Sequence, residues 1–270
     1  STGLRECLTQ ATQALDWARK RQTPSQQGPL RRGVGLAAAM HVSGNRTIGN
    51  WDGSTVGIKV NEDGRVLIHS SECDAGQGAM TMLSQVVAHE LDIPISHVHV
   101  VPPDTDHSPY CIGSLASRVT IVAGNAAIVA AREAKSKLAN AASQVLQVDA
   151  AELVFAGGKV WASSAPQRQL SYGELVRAHI WRHGGEGIHV QGSWDAKTVM
   201  HDERMHGNIA PAYSFAAQAV EVEVDTDTGQ VRVIDSFVSD DCGRALNPTA
   251  VHGQSNGASA QAIGWALYEQ

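Results

Sequence analysis

Long apolar runs are missing from this chain. No window approaches the roughly 18 consecutive apolar residues of a membrane-spanning helix, and the opening STGLRECLTQ carries no signal-peptide hydrophobic region. Basic clusters are missing too: the net charge is -6, which argues against a nucleic-acid partner. Aromatics make up only 5%, too few for a platform on which single-stranded bases stack. The four cysteines, Cys7, Cys73, Cys111 and Cys242, stand far apart with no CxxC pair. That suits reduced thiols better than a disulfide framework or an iron–sulfur site. The expectation is a cytoplasmic protein with neither nucleic acid nor membrane as partner.

What remains is a globular composition, 270 residues with 43% hydrophobic and 18% charged. Residues 1 to 22 read as a helix, with Leu4, Cys7, Leu8, Ala11 and Leu15 on one face and Arg19, Lys20 and Arg21 at its end. QTPSQQGPLRRG reads as a linker. A hairpin follows, in which Val56, Ile58 and Val60 alternate and Val66 and Ile68 return after the turn at 61–64. A helix from about residue 79 stops at Asp92-Ile93-Pro94, and HVHVV at 97–101 is a short strand. A long alanine-rich helix spans about Arg118 to Leu146. Beyond it come short strands around AGGKVWA, a helix in SYGELVRAHIW and a His- and Gly-rich loop. AVEVEVDTDTGQVRV predicts a hairpin with Val220, Val222 and Val224 inward and Glu221 and Glu223 outward. Asn247-Pro248 opens a last helix. The order predicts an α+β protein: residues 1–33 a helix and linker, 34–149 a first α+β unit, and 150–270 a second, truncated at its C-terminus.

The generic catalytic motifs are absent. There is no HExxH, GxxxxGK[ST] or GxGxxG, and no serine sits on a strand-to-helix elbow of the nucleophile type. His97 and His99 alternate on one strand, and His179, His183 and His189 cluster loosely, without metal-ligand spacing. Three polar loops, each opening a helix, are left: Gly76-Gln77-Gly78; Ser114, Ser117, Arg118 and Thr120; and Gly253-Gln254-Ser255-Asn256. Free N–H groups at a helix start favour an anion, and glutamine amides both donate and accept. Capping and packing explain any one of these loops. Jointly they suit one large, polar, phosphate-bearing ligand, with hydroxyls and a guanidinium among the groups that hold it.

Four stretches carry a resemblance: DAGQGAMTMLSQVVAHELDIP, VHVVPPDTDHSP, GSLASRVTIVAGNAAIVAA and VSDDCGRALNPTAVHGQSNGASAQAIGWALYEQ. In order and spacing they resemble the molybdopterin-binding part of the xanthine dehydrogenase/aldehyde oxidase family, over nearly all the chain from about residue 34. The 116–126 segment and RECLTQATQALDWARKR most resemble molybdenum subunits of the 4-hydroxybenzoyl-CoA reductase and nicotinate dehydrogenase types. The resemblance implies two molybdopterin-binding units of mixed sheet packed with helices. It implies an oxidoreductase that hydroxylates or dehydroxylates aldehydes and aromatic or N-heteroaromatic carbons. Its cofactor would be molybdenum-molybdopterin, plain or in cytosine dinucleotide form, with iron–sulfur clusters and FAD on partner domains or subunits. Gly76, Gln77 and Gly78 would then contact the pterin or its phosphate. Ser117, Arg118, Val119 and Thr120 would offer main-chain and hydroxyl groups, and Gln254 would hydrogen-bond the pterin.

Two departures limit that implication. The family's glutamate base sits in a GEPP-like loop beyond the last helix, and its glycine-rich upstream half precedes this segment; neither is in the chain. Glu72 and Glu269 lie in no such motif, so no catalytic residue and no metal ligand is named here. The expectation is an incomplete module, inactive alone, whose partners are the other half of a molybdenum subunit, iron–sulfur and flavin subunits and a small-molecule substrate. The alternative is a cofactor-free scaffold or interaction module that keeps the fold.

Overall fold

The computed structural model describes residues 3–22, 28–46 and 51–269. In chain order the elements begin with α1 (Leu4–Leu15), α2 (Trp17–Arg21), β1 (Leu30–Ser43), β2 (Ser54–Val60), β3 (Val66–His69), α3 (Ala79–Leu91) and β4 (Val98–Val101). They continue with α4 (Val119–Leu146), β5 (Leu153–Ala156), β6 (Lys159–Ala162), β7 (Leu170–Ser171), α5 (Tyr172–Arg182) and β8 (Ile188–Trp194). The last are β9 (Ala212–Asp225), β10 (Val231–Asp241) and α6 (Pro248–Leu267). These form two compact units, Ser43–Pro211 and the pair of segments Ser1–Val42 with Ala212–Gln270. The division falls elsewhere than at residues 34 and 150, because β1 joins a sheet with β9 and β10 from the far end of the chain.

The Ser43–Pro211 unit is built on a four-stranded mixed sheet of order β4-β3-β2-β8. β2 pairs antiparallel with β3 and with β8, while β3 and β4 run parallel. Register places Val190, Ile58, Ile68 and Val100 in one row across all four strands, and Ile188, Val60 and Val66 in the next. All seven are buried. The period of two has therefore put Val56, Ile58, Val60, Val66 and Ile68 of the hairpin on one face, and α4 lies against that sheet. Its buried stripe is small, with Ala123, Ala126, Ala127, Ala130, Ala131 and Ala134, so helix and strand backbones approach closely. A Cβ on Gly192 of β8 would sit 2.3 Å from Ala130 N and 2.4 Å from Ala126 O. β5, β6 and β7 make a separate antiparallel meander, after which Ser171 and Glu174 cap α5 reciprocally.

The other unit is thinner. Its sheet has the order β1-β9-β10. Cys7, Ala11 and Leu15 of α1 bury against Ala217 and Ala219 of β9. The expected first helix is broken at Asp16, whose φ of 58° is left-handed. No residue of α6 is buried.

Three local expectations change. β8 occupies the segment read as a His- and Gly-rich loop, because Gly192 stands where the apolar alternation calls for a large side chain. β1 starts within the segment read as a linker. Most of its side chains are exposed, so it has no apolar alternation to read. In β9 the faces are reversed. Glu221 is buried beside Ala217 and Ala219, while Val220, Val222 and Val224 are half-exposed. The small face of α1 accepts alanines, and Lys20 (2.5 Å) and Arg32 (3.6 Å) neutralise Glu221.

Candidate functional site

Three loops of the Ser43–Pro211 unit, at 51–54, 70–78 and 110–118, meet around one buried cation. Arg118 is 0% exposed. Its Nε donates to Asp52 Oδ1 (2.7 Å), and Nη1 donates to Glu72 Oε1 (2.6 Å) and to the Gly113 carbonyl (3.2 Å). Nη2 reaches the Gly53 carbonyl (2.7 Å) and Ser54 Oγ (2.8 Å). All five guanidinium N–H groups are thus satisfied, which an ion pair without water demands. Ser114 ties the loops a second time through Cys73 O (2.8 Å) and Glu72 Oε2 (3.3 Å). Cys111 adds a third tie, its Sγ donating to Ser71 O (3.4 Å). Burial, then the nearby Glu72 carboxylate, push the Cys111 thiol pKa up.

The residue types place the guanidinium at the ligand surface beside Ser117 and Thr120. It points inward instead, and only the main chain of Arg118 remains at the start of α4. Ser117 and Thr120 are exposed and Val119 is buried. Ala116 and Ser117 are both left-handed, with φ of 46° and 51°. Such strain in two successive non-glycine residues persists only where the surroundings fix it, and here Gly44 N donates to Ala116 O (2.8 Å) and Arg118 N to Leu115 O (3.1 Å). The N-terminus of α4 has no side-chain cap among the described residues.

The glycine–glutamine loop is closed differently. Asp74 Oδ1 accepts from Gly76 N (3.0 Å) and Gly78 N (3.1 Å), and Oδ2 accepts from Met80 N (3.2 Å). Burial of this carboxyl acts upward, but those N–H groups and that of Ala79 outweigh it, and the Asp74 pKa is lowered. The start of α3 therefore already holds an anion of its own. Gln77 folds back on its loop, accepting from Ala75 N (2.6 Å) and donating to Cys73 O (2.8 Å). An amide has two donors and two lone pairs, so one of each is left for a ligand. Gly76 (φ 108°) and Gly78 (φ 85°) take conformations that L side chains avoid. An added Cβ on either would meet no atom within 4 Å, so the space above this turn is open.

The structure thus brings the 76–78 and 117–120 segments together through Glu72, Ser114 and Arg118. Gln254 lies exposed on α6 in the other unit. Sequence reasoning missed Asp52, Glu72 and Asp74. An Asp two residues before a glycine at a helix start is a readable Asx signal, whereas nothing local marks Asp52 or Glu72 as partners of Arg118. His97 and His99 are exposed, and among the described residues no three His, Cys, Asp or Glu converge as metal ligands.

Comparison with known proteins supplies the family and the fold. The Molybdopterin cofactor-binding domain family matches residues 10–270. The chain is 31% identical to a xanthine dehydrogenase molybdenum-binding subunit of Escherichia coli O157:H7, over 100% of this chain and 35% of that protein. It is 33% identical to the 6-hydroxypseudooxynicotine dehydrogenase complex subunit gamma of Paenarthrobacter nicotinovorans, over 88% of this chain and 28% of that one. Quinoline 2-oxidoreductase from Pseudomonas putida 86 shares the fold, with a TM-score of 0.78 at 23% identity, over 97% of this chain and 34% of its own. The chain spans about a third of the length of the curated relatives it matches.

Proposed function

The chain belongs to the molybdopterin cofactor-binding domain family, and from that premise we propose that it forms part of the cofactor site of a molybdenum hydroxylase or dehydrogenase. The substrates in this reading are aromatic, N-heteroaromatic or aldehyde compounds. The remainder of the molybdenum subunit and subunits bearing iron–sulfur clusters and flavin complete the enzyme. That the relatives are some three times longer, and that one is a subunit of a complex, supports partners of this kind.

The observation that carries the reading is the junction of two differently prepared helix starts. One is an open glycine turn above α3, held in shape by Asp74 and edged by the spare donor and acceptor of Gln77. The other is the uncapped start of α4, with exposed Ser117 and Thr120. A pterin edge, rich in donors and acceptors, fits the first, and a phosphate fits the second. The cofactor in this reading is molybdenum-molybdopterin, with a cytosine dinucleotide tail as the extended form. Gly76, Gln77, Gly78, Ser117, Thr120 and the main chain of Arg118 and Val119 would hold it, with Gln254 contributing from α6. When bound, the group supplies the redox chemistry of the metal; the residues here bind and orient it. Glu72 is committed to Arg118, so it is not free to serve as a general base, and the base of a hydroxylation belongs to the rest of the subunit.

The test is the molybdenum and pterin content of the protein purified from a cofactor-making host with whatever chains stay bound. We expect near-stoichiometric metal and a severalfold loss of pterin in Gln77→Ala and Gln254→Ala. Gln254 is exposed and its side chain makes no hydrogen bond among the described residues, so that variant should melt as the parent does. A metal-free protein from such a host, or pterin content indifferent to both substitutions, would leave the cofactor-free scaffold as the better account.

A further inference from the structure

A second polar cavity lies between α4 and the C-terminal end of α5, with a volume of about 430 Å³, and none of its lining belongs to the loops described above. From α4 it is lined by Lys137, Asn140, Ser143 and Gln144, spaced so that they share one helix face. From the other side come His179 and His183, one turn apart, with rings stacked at 4.3 Å, and Glu186. His179 is only 6% exposed, yet neither ring nitrogen has a hydrogen-bond partner among the described residues. Ser143 Oγ is buried and unpartnered as well. Buried polar atoms in folded proteins are paired, and an orphan set converging on one space marks a missing partner.

The lining says what that partner is. Six of the seven side chains carry N–H or O–H donors. The only carboxylate, Glu186, is already taken by Lys137 Nζ at 2.6 Å. A lining weighted toward donors, with its one carboxylate already paired, suits a ligand made of acceptors. The end of α5 places a partial negative charge beside the two imidazoles and favours their protonated form once an anion is at hand. We propose that this cavity is a proton-coupled binding site for a small oxyanion, with His179 and Ser143 at its buried end and Lys137 at its mouth. Left alone, His179 resists protonation. Its burial, then the neighbouring His183, hold its pKa below the ordinary value, Lys137 adds to the depression and Glu186 opposes it. A bound anion reverses the balance, so binding takes up a proton and tightens as pH falls.

Sulfate is the probe, because its charge is constant over the range in which histidine titrates, and acetate is the planar control. Calorimetry in buffers of different ionisation enthalpy should show proton uptake with sulfate. Affinity should rise about fivefold or more between roughly pH 7.5 and 6. Ser143→Ala should weaken binding severalfold, and His179→Gln should abolish the pH dependence. Tighter sulfate than acetate assigns the site to tetrahedral anions, and the reverse order to carboxylates. Sulfate binding that is independent of pH, or unchanged in His179→Gln, overturns the proposal, as does an absence of saturable binding by either anion. Should His179→Gln not fold, the partly exposed Lys137→Gln decides the same question: loss of affinity supports the site, and unchanged affinity overturns it. Molybdenum content enters none of these readouts, so the site stands or falls separately from the cofactor reading.

Discussion

The two units use charge in opposite ways. In the Ser43–Pro211 unit the Arg118 side chain is 0% exposed, with Asp52 and Glu72 at 1%, and it pins three loops. In the other unit Glu221 and Glu223 spread over Lys20, Arg32 and Arg232, whose side chains are 17%, 46% and 69% exposed. There the hydrophobic core is a handful of small residues around Leu15, and long cationic side chains help cover the sheet. One network fixes geometry at a desolvation cost, while the other is a partly wet cover. The physical consequence is a steep difference in what each loses when one partner is removed.

The largest loss is expected at Arg118. Replacing it with methionine leaves two carboxylates unpaired and buried, at a cost of about 3–5 kcal/mol. Arg118→Lys should recover only part, since a single ammonium cannot reach Asp52, Glu72, Ser54 and two carbonyls together. Urea denaturation of the variants measures both. A penalty below about 1 kcal/mol for the methionine variant would make this cluster no different from the surface network and erase the contrast.

Packing supplies the next effect. In Gly192→Ala the new methyl would meet the backbone of α4 at 2.3–2.4 Å, so β8 and α4 must separate. Overpacking of this kind costs about 1–3 kcal/mol. A melting temperature equal to the parent's would show that the helix shifts freely and that the small-residue stripe of α4 is not fixing the distance.

Those two sites also show where the sequence was readable. The β2–β3 hairpin announces itself, because Val56, Ile58 and Val60 alternate with polar residues and face one core. The β9–β10 turn announces itself through Asp225 to Gly229. α4 is legible from length and alanine content, and α6 from its Asn247-Pro248 start. β8 was not legible, because Gly192 removes one apolar position for the sake of a neighbouring helix, and β1 was not, because a mostly exposed strand carries no apolar period. Of the candidate site, the glycine turn and the hydroxyls of the 117–120 segment were visible as residue types. The inward turn of Arg118 was not. It depends on Asp52 and Glu72, which are distant in sequence, and an arginine at a helix start looks the same whether it meets a ligand or a buried carboxylate.

A smaller effect belongs to the wetter network. Glu221→Ala leaves Lys20 with Asp235 at 3.1 Å and Arg32 with Glu223 at 3.0 Å. Both cations keep a partner and reach water, so the loss should be about 1 kcal/mol. A loss as large as that of the Arg118 variant would mean that Glu221 anchors its unit as Arg118 anchors the other.

The mildest test separates the units by pH. His69 and His179 belong to the Ser43–Pro211 unit and both have lowered pKa values. For His69 the causes are burial first, then His189, His107 and Lys59. A group whose folded pKa is depressed lends stability that is complete above its unfolded value of 6.5 and is lost as pH falls through the folded one. Lys20 lies in the other unit and is raised, first by its hydrogen bond to Glu221, against burial, with Asp235 adding to it. Its contribution is complete below 10.5 and is lost as pH rises through the folded value. Mild acid, at about pH 5.5 and still above the carboxylate range, should therefore weaken the first unit and spare the second; in alkali both should weaken, because burial also raises the pKa of the Tyr172 hydroxyl and the Cys111 thiol in the first unit. Methyl resonances of Ile68 and Leu15, each buried in one unit, report the two separately in urea titrations. Parallel loss in mild acid would show that the units unfold as one.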